Sequence, residues 1–240
     1  MNQSDKITQL NAGTLPTSTL MDALSIDINL LLKNTLASIK LEHIPKELGI
    51  TKKMFRAAEL IHDTTGFSEF NTLKQHLSDT IRGLACYLVS LQPISIKDKL
   101  ELIYPLANDN HFGVREWAWL ALRPDVANNL PESLMLLKPW VIDSNENIRR
   151  YASEITRPRG VWCSHIKELR KEPWLALDLI QSLHSDSSKY VQLSVANWLN
   201  DAGKDHPTWV AALCKEWLRK TLSTHTEKIC KRAQRNIKPT

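Results

Sequence analysis

Apolar residues recur three and four positions apart through most of the chain, in the stretches 30–36, 54–61, 100–106, 130–140, 175–183 and 209–218. Each stretch is bounded by Pro, Gly, Asn, Asp or Ser, so the spacing predicts amphipathic helices joined by short connections. Strict apolar/polar alternation is scarce, which leaves strands and hairpins without support. A longer period appears when segments are aligned on a β-branched residue with a small residue four places later. The segments SDTIRGLACYL, NHFGVREWAWLAL, SNENIRRYASEI, SSKYVQLSVANWL and THTEKICKRAQRNI then superimpose on Ile81, Val114, Ile148, Val191 and Ile229. Ala85, Ala118, Ala152, Val195 and Ala233 occupy the small position. The anchors are spaced 33, 34, 43 and 38 residues apart, and a Ser, Asp, Asn or Thr suited to capping a helix start precedes each. Arg82, Arg115 and Arg149 directly follow the first three.

Two-helix units of this length cannot bury both faces alone; they stack on one another, and the small residues let neighbouring helices approach closely. The expected fold is therefore all-α, a HEAT-like helical repeat solenoid (an α-α superhelix). Residues 1–18 are polar and are expected to form a flexible tail. Residues 19–240 are expected to form a single domain, with a helical cap over 19–76 and repeats over 77–240. The long 43-residue interval holds an inserted loop at 156–162, TRPRGVW. Insertions in solenoids gather on one rim or face and often bind something.

Composition narrows the classes. Lys and Arg number 31 against 26 Asp and Glu in 240 residues, a net charge of +5. The excess is concentrated between Lys215 and Lys238 and again over 145–171, which can be either a solvated helix face or an anion-binding surface. No apolar run suits a membrane span or a secretory leader. Cys86, Cys163, Cys214 and Cys230 show no CxxC pairing, and the plain reading is reduced thiols in a cytoplasmic protein. No two glycines lie closer than 17 residues, so neither GxGxxG nor a phosphate-binding P-loop exists. HExxH and GxSxG are absent as well, and no metal or cofactor is expected.

What remains is a set of carboxylates beside aromatic and basic residues: Glu116 in VREWAW, Glu154 in YASEITRPRGVW and Asp201 in VANWLNDAGKDHP. All eight tryptophans lie at or beyond position 117, most at core spacing, but Trp162 sits in the Arg- and Pro-containing loop where no helical period places it. On residue types alone, Glu154 can equally pair with Arg149, Arg150 or Arg157. Asp201 can cap a helix or bind Lys204, and Arg157 and Arg159 can be exposed loop charges.

The words ASExxRPR and NDxxKDHP, within about 60 residues of matching sequence, resemble the bacterial AlkC/AlkD superfamily of alkylpurine DNA glycosylases, and the AlkC branch more closely. That branch often carries His where this chain has Trp198. The resemblance implies a HEAT-like solenoid with a concave basic face that holds duplex DNA, with Glu154, Trp162 and Asp201 lining the lesion site and Glu116 a fourth member. Arg115, Arg149, Arg157, Arg159 and Lys204 would contact DNA phosphates. It further implies a monomeric, nucleoid-associated bacterial enzyme that hydrolyses the N-glycosidic bond of cationic N3-methyladenine- or N7-methylguanine-type purines. Carboxylates would stabilise the oxocarbenium-like sugar. Two other readings stay open: a non-catalytic HEAT-repeat protein recognising damaged or branched DNA, and a protein-interaction scaffold.

Overall fold

A computed structural model describes residues 2–37 and 42–237; Lys238 of the basic C-terminal stretch and positions 38–41 of the expected cap lie outside them. Among the described residues the regular structure is helical and no strand occurs. The N-terminal helices are α1 (Gln3–Asn11), α2 (Leu20–Ser25), α3 (Ile28–Thr35), α4 (Ile50–Thr65), α5 (Phe70–Lys74), α6 (Asp79–Ser90) and α7 (Ile96–Ala107). Next come α8 (Phe112–Asn128), α9 (Leu130–Leu137), α10 (Glu146–Ile155), α11 (Lys167–Lys171) and α12 (Leu177–Ser182). The last three are α13 (Lys189–Gly203), α14 (Pro207–Lys220) and α15 (Thr224–Ala233). Among the described residues no helix is long and apolar enough to cross a membrane. The chain divides into two compact units, one ending at Leu122 and one starting at Arg123.

The repeat is visible in the core. All five anchors and their small partners are buried, on α6, α8, α10, α13 and α15. Three of those helices start at a Ser or Asn whose side chain accepts a backbone N–H: Asn145 before α10, Ser188 before α13 and Ser223 before α15. Capping of this kind replaces hydrogen bonds that the first turn cannot make internally. The arginines after the anchors share one role. Arg82, Arg115 and Arg149 each fold back to donate to two carbonyls just before their own helix, those of residues 76 and 77, 109 and 110, and 143 and 144. Arg82 also grips Asp109 at 2.8 and 3.1 Å, and Arg149 grips Asp186 at 2.6 and 3.0 Å. Each of those aspartates lies five residues before the next anchor, so the pairs are struts between successive repeats. Bidentate geometry of this kind fixes orientation as well as charge.

The first unit corrects the expectation of a flexible tail over 1–18. α1 forms there with Leu10 and Asn11 buried, capped by Asn2, which accepts from Asp5 N at 2.8 Å. Thr17 is anchored too: its N–H and hydroxyl both donate to the buried Asp79 carboxylate, at 2.7 and 2.8 Å. His111 Nε2 lies 2.6 Å from Thr17 O and closes the same network. One buried leucine and a backbone anchor make no periodic signal, and so polarity alone misreads the segment.

Close helix approach in this unit rests on Gly83 of α6. A Cβ there would collide with the indole of Trp117 and with Met54 Cε. Alanine normally favours a helix over glycine by about 1 kcal/mol, but overpacking costs about 1–3 kcal/mol and the rigid indole cannot yield. Gly83→Ala is therefore expected to lower stability by roughly 1–2 kcal/mol, read as a lower midpoint in urea denaturation.

Candidate functional site

In the second unit α10 and α13 pack side by side and are stitched by polar contacts. Ser153 and Ser194 hydroxyls meet at 2.8 Å, and the indole N–H of Trp198 donates to Thr156 O at 2.9 Å. Trp198, where the resembling branch often has His, is thus a fully buried strut. From these two helices Glu154 and Asp201 converge on one guanidinium. Arg157 Nη1 lies 2.7 Å from Glu154 Oε1, while its Nε and Nη2 reach Asp201 Oδ2 at 2.9 and 2.7 Å. Both carboxylates are buried, each only 4% exposed. The ion-pair alternatives weighed for them are thus realised in the geometry.

The two acids differ in what they leave over. Both Glu154 oxygens are engaged, Oε2 by the Ser194 hydroxyl at 2.6 Å and by Arg150 at 3.6 Å. Burial pushes the Glu154 carboxyl up, but Arg150 and Arg157 outweigh it and hold the group below its ordinary range, ionised at neutral pH. Burial likewise pushes the Arg157 guanidinium down, and its two carboxylates more than restore it. Asp201 accepts both Arg157 bonds on Oδ2, and among the described residues Oδ1 is met by Lys204 Nζ, at 3.2 Å. The Lys204 side chain is 45% exposed, so the cover over this oxygen is a flexible ammonium rather than a fixed fork.

Beside the cluster runs the inserted loop. Trp162 is half-exposed and adopts φ 63°, a left-handed backbone that a bulky side chain enters only at a cost of about 1–2 kcal/mol. The surrounding contacts hold it. Arg159 of the loop and Arg170 of α11 both fork onto Asp205, at 2.6–3.2 Å, which keeps that carboxyl far below the usual range. Gly160 has no room for a Cβ, because Cys163 Sγ and the Arg123 guanidinium fill that space.

Arg123 is the residue that sequence reading missed. Its guanidinium is buried and donates to three carbonyls of this region: Ile155 at 2.8 Å, Arg157 at 2.5 Å and Ser164 at 3.1 Å. Burial lowers its pKa, but not enough to matter for an arginine. A buried cation whose ligands are all backbone carbonyls has no partner in sequence to betray it. Replacing Arg123 by Met strands three acceptors, and the expected loss is about 3 kcal/mol or more of unfolding free energy. The accompanying sign is faster proteolytic cleavage within 156–164.

The other expected site residues have partners of their own. Glu116 belongs to the first unit and accepts from Trp119 Nε1 at 2.8 Å. Arg115, in the same unit, donates to Asp109 and Asn110 carbonyls, and Arg149 is the strut to Asp186. Arg157 and Arg159 are held by carboxylates as described, which leaves Lys204 the most exposed cation of the expected phosphate-contact set. Among the described residues no group of three or more His, Cys, Asp or Glu side chains is placed to hold a metal ion.

A family described as DNA alkylation repair enzyme matches residues 114–226, which include the whole ion-pair cluster and the loop. The chain is 29% identical over 206 residues to the uncharacterized Bacillus subtilis protein YhaZ, a match that covers 84% of this chain and 56% of that protein. Among solved structures it resembles the Pseudomonas fluorescens alkylpurine DNA glycosylase AlkC bound to DNA containing an abasic site analog. There the TM-score is 0.68 and the identity 26%, over 96% of this chain and 62% of the other. Streptococcus mutans AlkD2, with TM-score 0.59 and 20% identity over 99% of this chain and all of the other, shares the fold. This chain therefore spans a little over half the length of YhaZ and under two thirds of that AlkC chain. By the joint match of sequence and helical-repeat fold, it is similar to the AlkC/AlkD superfamily of DNA alkylation repair proteins.

Proposed function

We propose that this protein acts in DNA repair as a monofunctional glycosylase that releases cationic N-alkylated purines from double-stranded DNA. The observation that carries the reading is the convergence of Asp201 and Glu154 on Arg157, a residue of the same loop that carries the strained, half-exposed Trp162. An N3-methyladenine- or N7-methylguanine-type base already bears a positive charge. As its C1′–N bond breaks, the bonding electrons leave with the base, which departs neutral, and positive charge passes to the sugar. The Asp201 Oδ1 face is the negative group suited to that moment, once Lys204 is drawn off it by a DNA phosphate. Water then adds to C1′ and gives its proton to the carboxylate or to solvent. At about 4 Å and an effective dielectric near 20, such a charge contributes roughly 4 kcal/mol, on the order of a thousandfold in rate. An indole face near the sugar adds about 1–2 kcal/mol when desolvated. Arg157 and Glu154 position Asp201. The protein would work as a monomer in the bacterial cytoplasm.

The pairing of both buried acids with Arg157 favours one other reading, a non-catalytic protein that recognises damaged DNA. Incubation of the purified protein with duplex DNA methylated at N3 of adenine and N7 of guanine decides between them. Released methylated base supports the enzyme, and salt-dependent binding without release supports the second reading.

A further inference from the structure

The strut of the earlier repeats changes at the last one. Gln192 follows the anchor Val191 as the arginines follow theirs, and its Nε2 donates to the equivalent carbonyls, Asp186 O at 2.8 Å and Ser187 O at 3.2 Å. Instead of reaching a carboxylate of the next repeat, it meets His225 Nδ1 at 3.1 Å. An amide nitrogen donates only, so Nδ1 is the acceptor and the ring hydrogen sits on Nε2. The position five residues before the last anchor, which is Asp109 and Asp186 in the repeats above, is Thr224 here.

Around this exchange lies a cavity of about 420 Å³ lined by Lys189, Gln192, His225, Lys228 and Arg232, with Ser187 at its edge. None of its lining residues is acidic. Among the described residues Lys189, Lys228 and Arg232 form no ion pair, unlike Arg82 and Arg149 with their aspartates. The starts of α13 and α15 both contribute to it, and their free amides and dipoles favour an anion.

We infer that this cavity receives a backbone phosphate of duplex DNA, which takes the place of the carboxylate that the last repeat lacks. The inference rests on the proposed DNA-binding role and adds a phosphate contact outside the Glu154–Asp201 cluster. Three cations without an ion-pair partner among the described residues are free to neutralise phosphate charge, and the duplex then releases to bulk the cations condensed on it.

The test is duplex DNA binding by fluorescence anisotropy across a KCl series, for wild type and for Lys228→Gln with Arg232→Gln. Both side chains are exposed, so the variant keeps its fold, which thermal unfolding checks. The slope of log K against log salt is expected to fall by about 1 to 2, since each phosphate contact contributes roughly 0.9. Base release at saturating protein should stay within about twofold of wild type, because the cavity is outside the chemistry. Arg232→Lys, which keeps the charge, should keep the slope. An unchanged slope in the double variant would overturn the inference. So would displacement of DNA by micromolar inorganic phosphate at constant ionic strength, which would mark a site for a small free phosphate. Wild type that binds steeply with salt but releases no base sinks the glycosylase reading and leaves the cavity standing. Intact base release with equal slopes does the reverse.

Discussion

Asp201→Asn is expected to slow release of N3-methyladenine from alkylated duplex DNA about 100-fold in single-turnover assays, with little change in DNA affinity. The amide keeps the shape and can still accept from Arg157, but it removes the negative charge whose Oδ1 face is met, among the described residues, by Lys204. A group acting on charge that develops only as the bond breaks alters the rate and spares binding. Glu154→Gln should do less, roughly tenfold, because both Glu154 oxygens are already bound by Arg157, Ser194 and Arg150 and its influence passes through Arg157. The ranking is the diagnostic. If Asp201→Asn released base within threefold of wild type while folded, the assignment of the reacting face to Asp201 would fail. A larger loss in Glu154→Gln would move that face to α10.

How much of this was legible beforehand follows from the kind of signal each feature leaves. The five anchors and their small partners repeat at fixed offsets, and each proves buried, because stacking of identical units imposes the same environment again and again. Glu154, Trp162 and Asp201 stood out as uncommon words, and the structure gathers the two acids on Arg157 with the Trp162 loop alongside. Sequence could not choose between a bare and a paired carboxylate, since Arg157 lies three residues from Glu154 but 44 from Asp201. Nor could it tell that Arg149 is spent on Asp186, 37 residues away, rather than left for phosphate. Arg123 and Thr17 escaped notice for a related reason. Their ligands are backbone carbonyls or a distant carboxylate, and neither arrangement leaves a pattern along the chain.

Arg157→Met should show the largest loss of stability of any single change in the cluster, about 3–5 kcal/mol at neutral pH. The substitution leaves two carboxylates, each 4% exposed, without their shared guanidinium, with Arg150 and Lys204 as their remaining ion-pair partners among the described residues. The loss must depend on pH if it is electrostatic. In the wild type Glu154 titrates below its unfolded value of about 4.3, so its share of stability is complete above that pH and fades as pH falls through the lower folded value. Without Arg157 the burial that opposes ionisation gains the upper hand and the folded value rises, so the variant has less of this stability to lose on acidification. Wild type and variant should therefore differ most near pH 7 and converge towards pH 3 in urea unfolding. An equal difference at both pH values would show that Arg157 acts by packing alone. Adding Glu154→Gln and Asp201→Asn to Arg157→Met should recover part of the loss, because neutral amides are far easier to bury than unpaired charges. Failure of that recovery would place the cost in lost shape rather than in stranded charge, and Arg157 would then cease to be the electrostatic keystone that positions Asp201.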